Sequence, residues 1–433
     1  MKRATVVALA VVAAFAWVGA GSAGAQPVRQ QLPGGLTLLV RESTATPVAA
    51  ASLFVRMGSR WETEDDAGIS HLLQQVLLKG TERRSALEIA ETAESLGGGI
   101  GASADLDYSE IRATALARNW RTMLELIAEV ALRPTLPTAE IDGERRATLT
   151  ALRSRQDQPF SLAMDTLMSR VYGDHPYGRP ILGRPAALER IDRAGLVAYH
   201  RRFYRAPRMI LAVSGDIDTR LVMAEAARLF ADAPTGPAET ELTLPTAASR
   251  ADRTVIVRAS AQAQVLAGFL APPTSHADYA AVKVLATALG GGMAGRLFTE
   301  VRDKQGLAYS TGGAYPSREG PGVLFTQLGT APANQARAEA AMLGELDRIR
   351  RELLSPAELA RAKGYLLGQF ALDRRTNARL SWYDAFFEAL GVGPGFAERY
   401  VRAVEAVTAE DVQRVARTYL SAPTVVTLGP ATQ

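Results

Sequence analysis

The apolar residues recur at two periods, and each period marks an element. Ile69, Leu72, Leu73 and Val76 stand at i, i+3, i+4 and i+7, the stripe of a helix with one face in a core. Such stripes predict helices over 68–78, 86–96, 120–132, 141–156, 277–289, 333–353 and 356–369. Short β-branched or alternating runs predict strands over 36–41, 48–57, 100–105, 110–116 and 209–214, then over 254–257, 265–270, 307–314, 322–329 and 425–428. Strands in clusters with helices between them imply an α+β fold rather than a strict βαβ alternation.

The pattern repeats. Ile191 to Gly215 and Val407 to Gly429 each read as an amphipathic helix, an Ala-Pro turn and a β-branched strand. At one offset of 216, Leu196 meets Val412, Phe203 meets Tyr419, Ala206 meets Ala422, Pro207 meets Pro423 and Ile210 meets Val426. A gapless match across both elements favours duplication over a chance likeness. Between the copies, 234–252 holds three prolines and no apolar stripe, and reads as a linker. The expected organisation is a half over 26–233, a linker over 234–252 and a homologous half over 253–433, each half a mostly antiparallel sheet packed with helices.

The first 25 residues stand apart. Lys2 and Arg3 precede an apolar stretch from Val6 to Val18, followed by Ala23-Gly24-Ala25, which is the pattern of a signal peptide cleaved after Ala25. The expected location is the periplasm or the exterior of a bacterium, with no stable membrane span once the signal is removed. At 433 residues the chain has room for two cores. The absence of cysteine excludes disulfides, thiolate metal sites and a catalytic thiol. A net charge of +4, without a basic run, gives no support to nucleic-acid binding.

The chemistry centres on the 68–78 helix. A helix with His, Glu and His at i, i+3 and i+4 is an inverted zinc-peptidase motif, in which the two His bind metal and the Glu activates water. Here those slots hold His71, Gln74 and Gln75. Around them stand Gly58-Ser59-Arg60 with Glu62, Lys79-Gly80-Thr81, Leu96-Gly97-Gly98, His175-Pro176-Tyr177-Gly178 with Gly183, and Val213-Ser214-Gly215-Asp216. The second half adds Leu289-Gly290-Gly291-Gly292-Met293, Arg296-Leu297-Phe298 and the run from Arg302 to Tyr309. In that order these segments resemble the pitrilysin, insulinase and mitochondrial processing peptidase family over nearly the whole chain after the signal. The resemblance implies two homologous α+β halves joined by a linker.

It also implies what is missing. Gln74 replaces the general base and Gln75 the second ligand. Glu144 matches an acidic family position, but its partner one heptad on, the third ligand, is Ala151. A neutral amide takes no proton from water, and one imidazole does not hold a zinc ion that needs three protein ligands. His71 reads as a polar helix residue, and His175, His200 and His276 as surface or capping residues. Arg302 and Tyr309 occupy family positions that bind peptide and stabilise the reacting carbonyl. Taken alone, Arg302 would be read as the partner of a carboxylate and Tyr309 as packed in a sheet. The glycine-rich 289–295 lacks the Lys and helix of a phosphate loop.

The leading expectation is a non-catalytic subunit without its own metal or other cofactor, which helps bind a peptide or unfolded-protein substrate for an active, zinc-bearing homologue. The alternatives are a non-proteolytic scaffold or binding protein of the same fold and a stand-alone peptidase with a reassigned metal site.

Overall fold

The computed structural model describes residues 26–236 and 244–431, so the stretch expected as a signal peptide and the centre of the expected linker lie outside the described residues. The first half runs β1 (Val28–Gln31), β2 (Thr37–Glu42), β3 (Val48–Val55), α1 (Ile69–Leu77), α2 (Ala86–Ser95), β4 (Gly99–Ala104), β5 (Ser109–Leu116), α3 (Trp120–Leu132), α4 (Thr138–Asp157), α5 (Pro159–Tyr172), α6 (Pro185–Leu188), α7 (Arg193–Phe203), β6 (Met209–Gly215) and α8 (Thr219–Leu229). The second runs β7 (Asp252–Val257), β8 (Ala263–Ala271), α9 (Tyr279–Gly290), a π-helical segment over Leu297–Lys304, β9 (Ser310–Ala314), β10 (Gly322–Thr330), α10 (Gln335–Arg351), α11 (Pro356–Asp373), α12 (Asn377–Ala389), α13 (Phe396–Ala406), α14 (Ala409–Tyr419) and β11 (Thr424–Gly429).

The two sheets share one topology. The first is ordered β1-β2-β6-β3-β5-β4 and the second β7-β11-β8-β10-β9. In both, the returning strand after the Ala-Pro turn pairs in parallel with one neighbour, β6 with β2 and β11 with β7, while the other pairs are antiparallel. Among the described residues, only β1, paired to β2, has no counterpart. The helices entering these strands are capped alike: Asp192 accepts from Gly195 N–H ahead of α7, and Thr408 with Asp411 forms a capping box ahead of α14. Strands β6 and β11 are buried along their whole length, which explains their unbroken apolar runs.

Each half has its own core on one face of its sheet. The opposite faces are covered by exchange. Helix α5 of the first half lies on β8 and β11, and α12 of the second half lies on β3 and β6. The α12 seam is unusual. Its buried stripe is polar: Asn377, Ser381, Asp384 and Glu388, one helical turn apart in succession. Each finds a partner on the first half. Asn377 donates to the Val48 carbonyl (2.8 Å), and Arg41 of β2 grips both Asp384 oxygens (2.8 and 2.7 Å). Arg29 of β1 binds Glu388 (2.8 Å), and Ser381 lies 3.5 Å from Ser52. Phe386 and Phe387 fill in beside them against Leu39, Phe54 and Ile210. Further across the junction, the turns of the β4–β5 and β9–β10 hairpins meet through Arg318–Asp105 (2.9 Å), and Arg60, in the segment after β3, reaches Glu319 of the β9–β10 turn (2.7 Å).

No helix of the described residues is long and apolar enough to cross a membrane. Helices α5, α6, α8, α12 and α13 and strand β1 were not among the expected elements. Residues 307–309, expected as strand, precede β9 instead.

Both charges of the Arg41–Asp384 pair are buried, so removing the Asp384 carboxylate takes from the Arg41 guanidinium the two charge-assisted bonds that offset its burial. Asp384→Ala is expected to destabilise the chain by about 3–5 kcal/mol, and the double variant Arg41→Met, Asp384→Leu to recover most of that loss. Urea denaturation measures both; a single-variant cost below about 1 kcal/mol, the scale of an exposed pair, would contradict the reading.

Candidate functional site

The helix carrying the motif is set by the segment ahead of it. Glu62 is buried and its carboxylate accepts from the Gly68 and Ser70 N–H groups (2.8 and 2.9 Å), satisfying donors at the N-terminus of α1. Gly68 enters the helix at φ 100° and faces Gly183, where an added Cβ would stand 2.2 Å from the Ala67 carbonyl oxygen. Gly58 admits the β4–β5 turn so closely that a Cβ would lie 2.5 Å from the Asp105 carbonyl oxygen. Trp61 packs on Phe203, with the Arg208 guanidinium 4.2 Å from its ring centre. The residues around Gly58 and Glu62 that carry the resemblance therefore position α1 and hold the two halves together.

On α1, His71 and Gln75 are half-buried on one face and Gln74 is 1% exposed. The Gln74 amide points into the first-half core, where its Nε2 donates to the Tyr204 hydroxyl (2.7 Å). Its Oε1 is buried without a hydrogen-bond partner among the described residues. Tyr204 stacks on His200 at 4.3 Å, and His200 Nε2 bonds the Ala131 carbonyl (2.8 Å). Helix α4 packs against α1 and brings Glu144 near His71. Burial lowers the pKa of His71, and the Glu144 charge pulls it back up. Glu144 itself is bound by Lys79 at 2.7 Å. Ala151, further along α4, is exposed. These residues do not fit a zinc ion: the donor set is one imidazole, two neutral amides and a methyl group, and the one nearby carboxylate is committed to Lys79. Among the described residues, no three His, Asp or Glu side chains converge as a metal-binding group.

Arg302 and Tyr309 lie in the second half. The segment Leu297–Lys304 is pinned by Arg296, which is buried and bound to Glu358 at the start of α11 (2.9 Å). Arg302 is exposed, its guanidinium 4.5 Å over the Phe298 ring, and among the described residues it has no ion pair. Tyr309 is 61% exposed, and its N–H donates to the Gly329 carbonyl (2.8 Å) just before edge strand β9. So Arg302 is not the partner of a carboxylate and the Tyr309 ring is not packed in the sheet. The Phe298 contact of Arg302 and the Gly329 bond of Tyr309 both lie within the second half.

Sequence reasoning passed over the polar face beside edge strand β4. A cavity of about 520 Å³ opens there, with Ser52, Glu110, Arg112, Ser381 and Arg379 in its walls. Burial pushes the Glu110 carboxyl up, against the Ser52 hydroxyl that donates to it (3.0 Å) and the nearby Arg112 and Arg379 charges. The signal was present: in Ser109–Leu116 the positions Glu110, Arg112 and Thr114 alternate with Ile111, Ala113 and Ala115, marking a polar second face. His175 is buried and accepts from Tyr177 N–H, and His276 is exposed and accepts from Asp278 N–H. Capping describes both, but a surface position describes only the second.

The family described as insulinase, peptidase family M16, matches residues 37–184, and the peptidase M16 inactive domain matches 190–366. An uncharacterized zinc protease of Mycobacterium tuberculosis is 30% identical over 412 residues, covering 92% of each chain. The uncharacterized zinc protease YmxG of Bacillus subtilis is 28% identical over 349 residues, covering 80% of this chain and 84% of its own. Among solved structures, a peptidase M16 inactive domain from Pseudomonas fluorescens superposes with TM-score 0.88 at 25% identity, covering 94% of this chain and 98% of that one. A protease from Helicobacter pylori superposes with TM-score 0.86 at 22% identity, covering 93% and 99%.

Two outcomes follow from the site. Gln74→Glu, Gln75→His and Ala151→Glu together, with His71 already on α1, are expected to give stoichiometric zinc uptake by elemental analysis, and none of the three alone to do so. A folded triple variant without zinc would show that the two helices no longer hold the required geometry. Separately, burial holds His200 down to about 4, with the Ala131 bond opposing that shift, against about 6.5 in an unfolded chain. A depressed pKa stabilises the fold above the unfolded value, and that contribution is lost as pH falls from about 6.5 through 4. His200→Gln should therefore lose less stability than the parent over this window in urea titrations; parallel losses would refute the assignment.

Proposed function

This chain belongs to the insulinase family of peptidases, M16, and from that membership we propose that it is the non-catalytic, peptide-binding subunit of an exported peptidase pair whose zinc resides in a second, homologous chain. The observation that carries the proposal is a contrast between its halves. The positions that would serve metal chemistry are spent: Gln74, in the place of the base, is bonded into the core, Gln75 and Ala151 stand in the places of ligands, and Glu144 is held by Lys79. The positions that would serve a peptide are uncommitted: Arg302 and Tyr309 stand exposed.

Two features support peptide as the ligand. Strands β4 and β9 each end a sheet, leaving backbone donors and acceptors along one side to which an extended peptide can pair. Tyr309 directly precedes β9, so its phenol stands at the mouth of that edge. In the pair, hydrolysis belongs to the partner. This chain binds and orients the peptide, and contributes a guanidinium and a phenol O–H to the carbonyl oxygen on which charge develops. The basic, apolar and small-residue succession of the first 25 residues supports export.

The test is the partner plus variant chain. Arg302→Ala and Tyr309→Phe should each lower peptide turnover by about 10²–10³, the usual cost of losing one such donor, with assembly unchanged by size-exclusion chromatography. Parent turnover from both variants would end the role in catalysis and leave the non-proteolytic scaffold as the better reading.

A further inference from the structure

The duplication exposes an asymmetry at the junction of the halves. On the α5 side, the loop after the helix carries Tyr177, whose buried phenol closes the gap between the two hairpin turns. Its hydroxyl donates to Asp107 in the β4–β5 turn and accepts from Gly320 N–H (3.1 Å) in the β9–β10 turn. Helix α12 is the counterpart of α5, by its place in the repeat and by the exchange that lays each on the other half's sheet. Each is followed by a glycine at positive φ, Gly173 after α5 and Gly391 after α12. The stretch corresponding to Tyr177 reads Gly393-Pro394-Gly395, which contains no large side chain.

On that side a cavity of about 250 Å³ remains. Its walls include Tyr108 from the first half and Tyr279, Trp382, Phe386, Phe396 and Tyr400 from the second, with the Asp105–Arg318 pair at its edge. The chain is only 6% aromatic, so this concentration of rings selects a flat, apolar occupant. Cations already serve the ring faces, Arg379 at 4.3 Å over Trp382 and Lys283 at 5.2 Å over Tyr279, and Asp105 is committed to Arg318, so a cationic occupant is disfavoured. The volume lies below that of pockets for drug-sized molecules and suits a single side chain. The position is reachable from either edge strand: Asp105 directly follows β4, and Ser317 and Arg318 follow β9 within the same hairpin.

We propose that this cavity receives one aromatic side chain, Phe or Tyr, of an extended peptide held by the chain, in the place that Tyr177 fills on the opposite side of the junction. The proposal rests on the peptide-binding reading above and adds a residue preference to it. Because the walls come from this chain alone, the partner is not needed for the test.

The test uses the mature full-length chain and ten-residue Ser/Thr/Gly peptides with a single central Phe, Ala or Lys, followed by fluorescence anisotropy of an N-terminal dye. A fourth peptide carries p-azidophenylalanine at the centre for photo-cross-linking and mass-spectrometric mapping. The Phe peptide should bind about tenfold or more tightly than the Ala peptide, the scale expected for burying a Phe ring, and Lys should give no gain. The azide should attach to the cavity walls, at Tyr108, at Tyr279 or within 382–400. Equal binding of Phe and Ala, a preference for Lys, or attachment elsewhere overturns the cavity assignment while leaving peptide binding intact. Failure of every peptide to bind overturns the peptide-binding reading and this inference with it.

Discussion

The fold depends on a helix from one half lying on the sheet of the other through buried charge. Without α12, the face of the first sheet that bears Leu39, Phe54 and Ile210 is open to water, and Arg41 loses the two bonds it makes to Asp384. The exchange also fixes which residues meet at the junction. With α5 and α12 in place, the two hairpin turns come together, Arg60 reaches Glu319, and Tyr177 spans both turns. A buried ion pair is a poor source of net stability, but it is a strict condition on register. A slipped α12 would leave Asn377, Asp384 and Glu388 facing groups that cannot satisfy them.

That dependence explains why so many family-like residues persist in a chain whose metal positions are spent. Gly58 and Gly183 allow close backbone approaches, and Glu62 satisfies a helix N-terminus. Tyr177 makes a contact across the junction, and Arg296 forms the ion pair that pins its segment. None of these roles needs a metal. Gln74 shows the other side of the same logic. Placed among Tyr204 and the first-half core, it serves as a buried amide where a carboxylate would have to be charged to act as a base.

The sequence disclosed the architecture where local pattern and tertiary role coincide. Helix α1 has one apolar face and one core, so its stripe is plain. The α7–β6 and α14–β11 units are legible twice because each repeats the same cap, turn and buried strand. Helix α12 was not legible for a physical reason: it is buried on several sides, and its sheet-facing stripe is polar because its partners are Arg41, Arg29 and the Val48 carbonyl, all more than 300 positions away. The degenerate metal motif could be read from residue types alone. The bond from Gln74 to Tyr204, the Lys79 hold on Glu144 and the exposure of Arg302 and Tyr309 required the structure. The polar face at Glu110 could have been read from strand alternation.

The proposed pairing turns on whether zinc resides in a second chain and not in this one. The most direct measurement is elemental analysis of each chain after the native protein, purified from its source, is separated from whatever accompanies it, with peptide hydrolysis assayed on each fraction. The account predicts zinc in the accompanying chain, none at stoichiometric level in this one, and no hydrolysis by this chain alone. Stoichiometric zinc in this chain, with chelator-sensitive cleavage by the isolated protein, would contradict it.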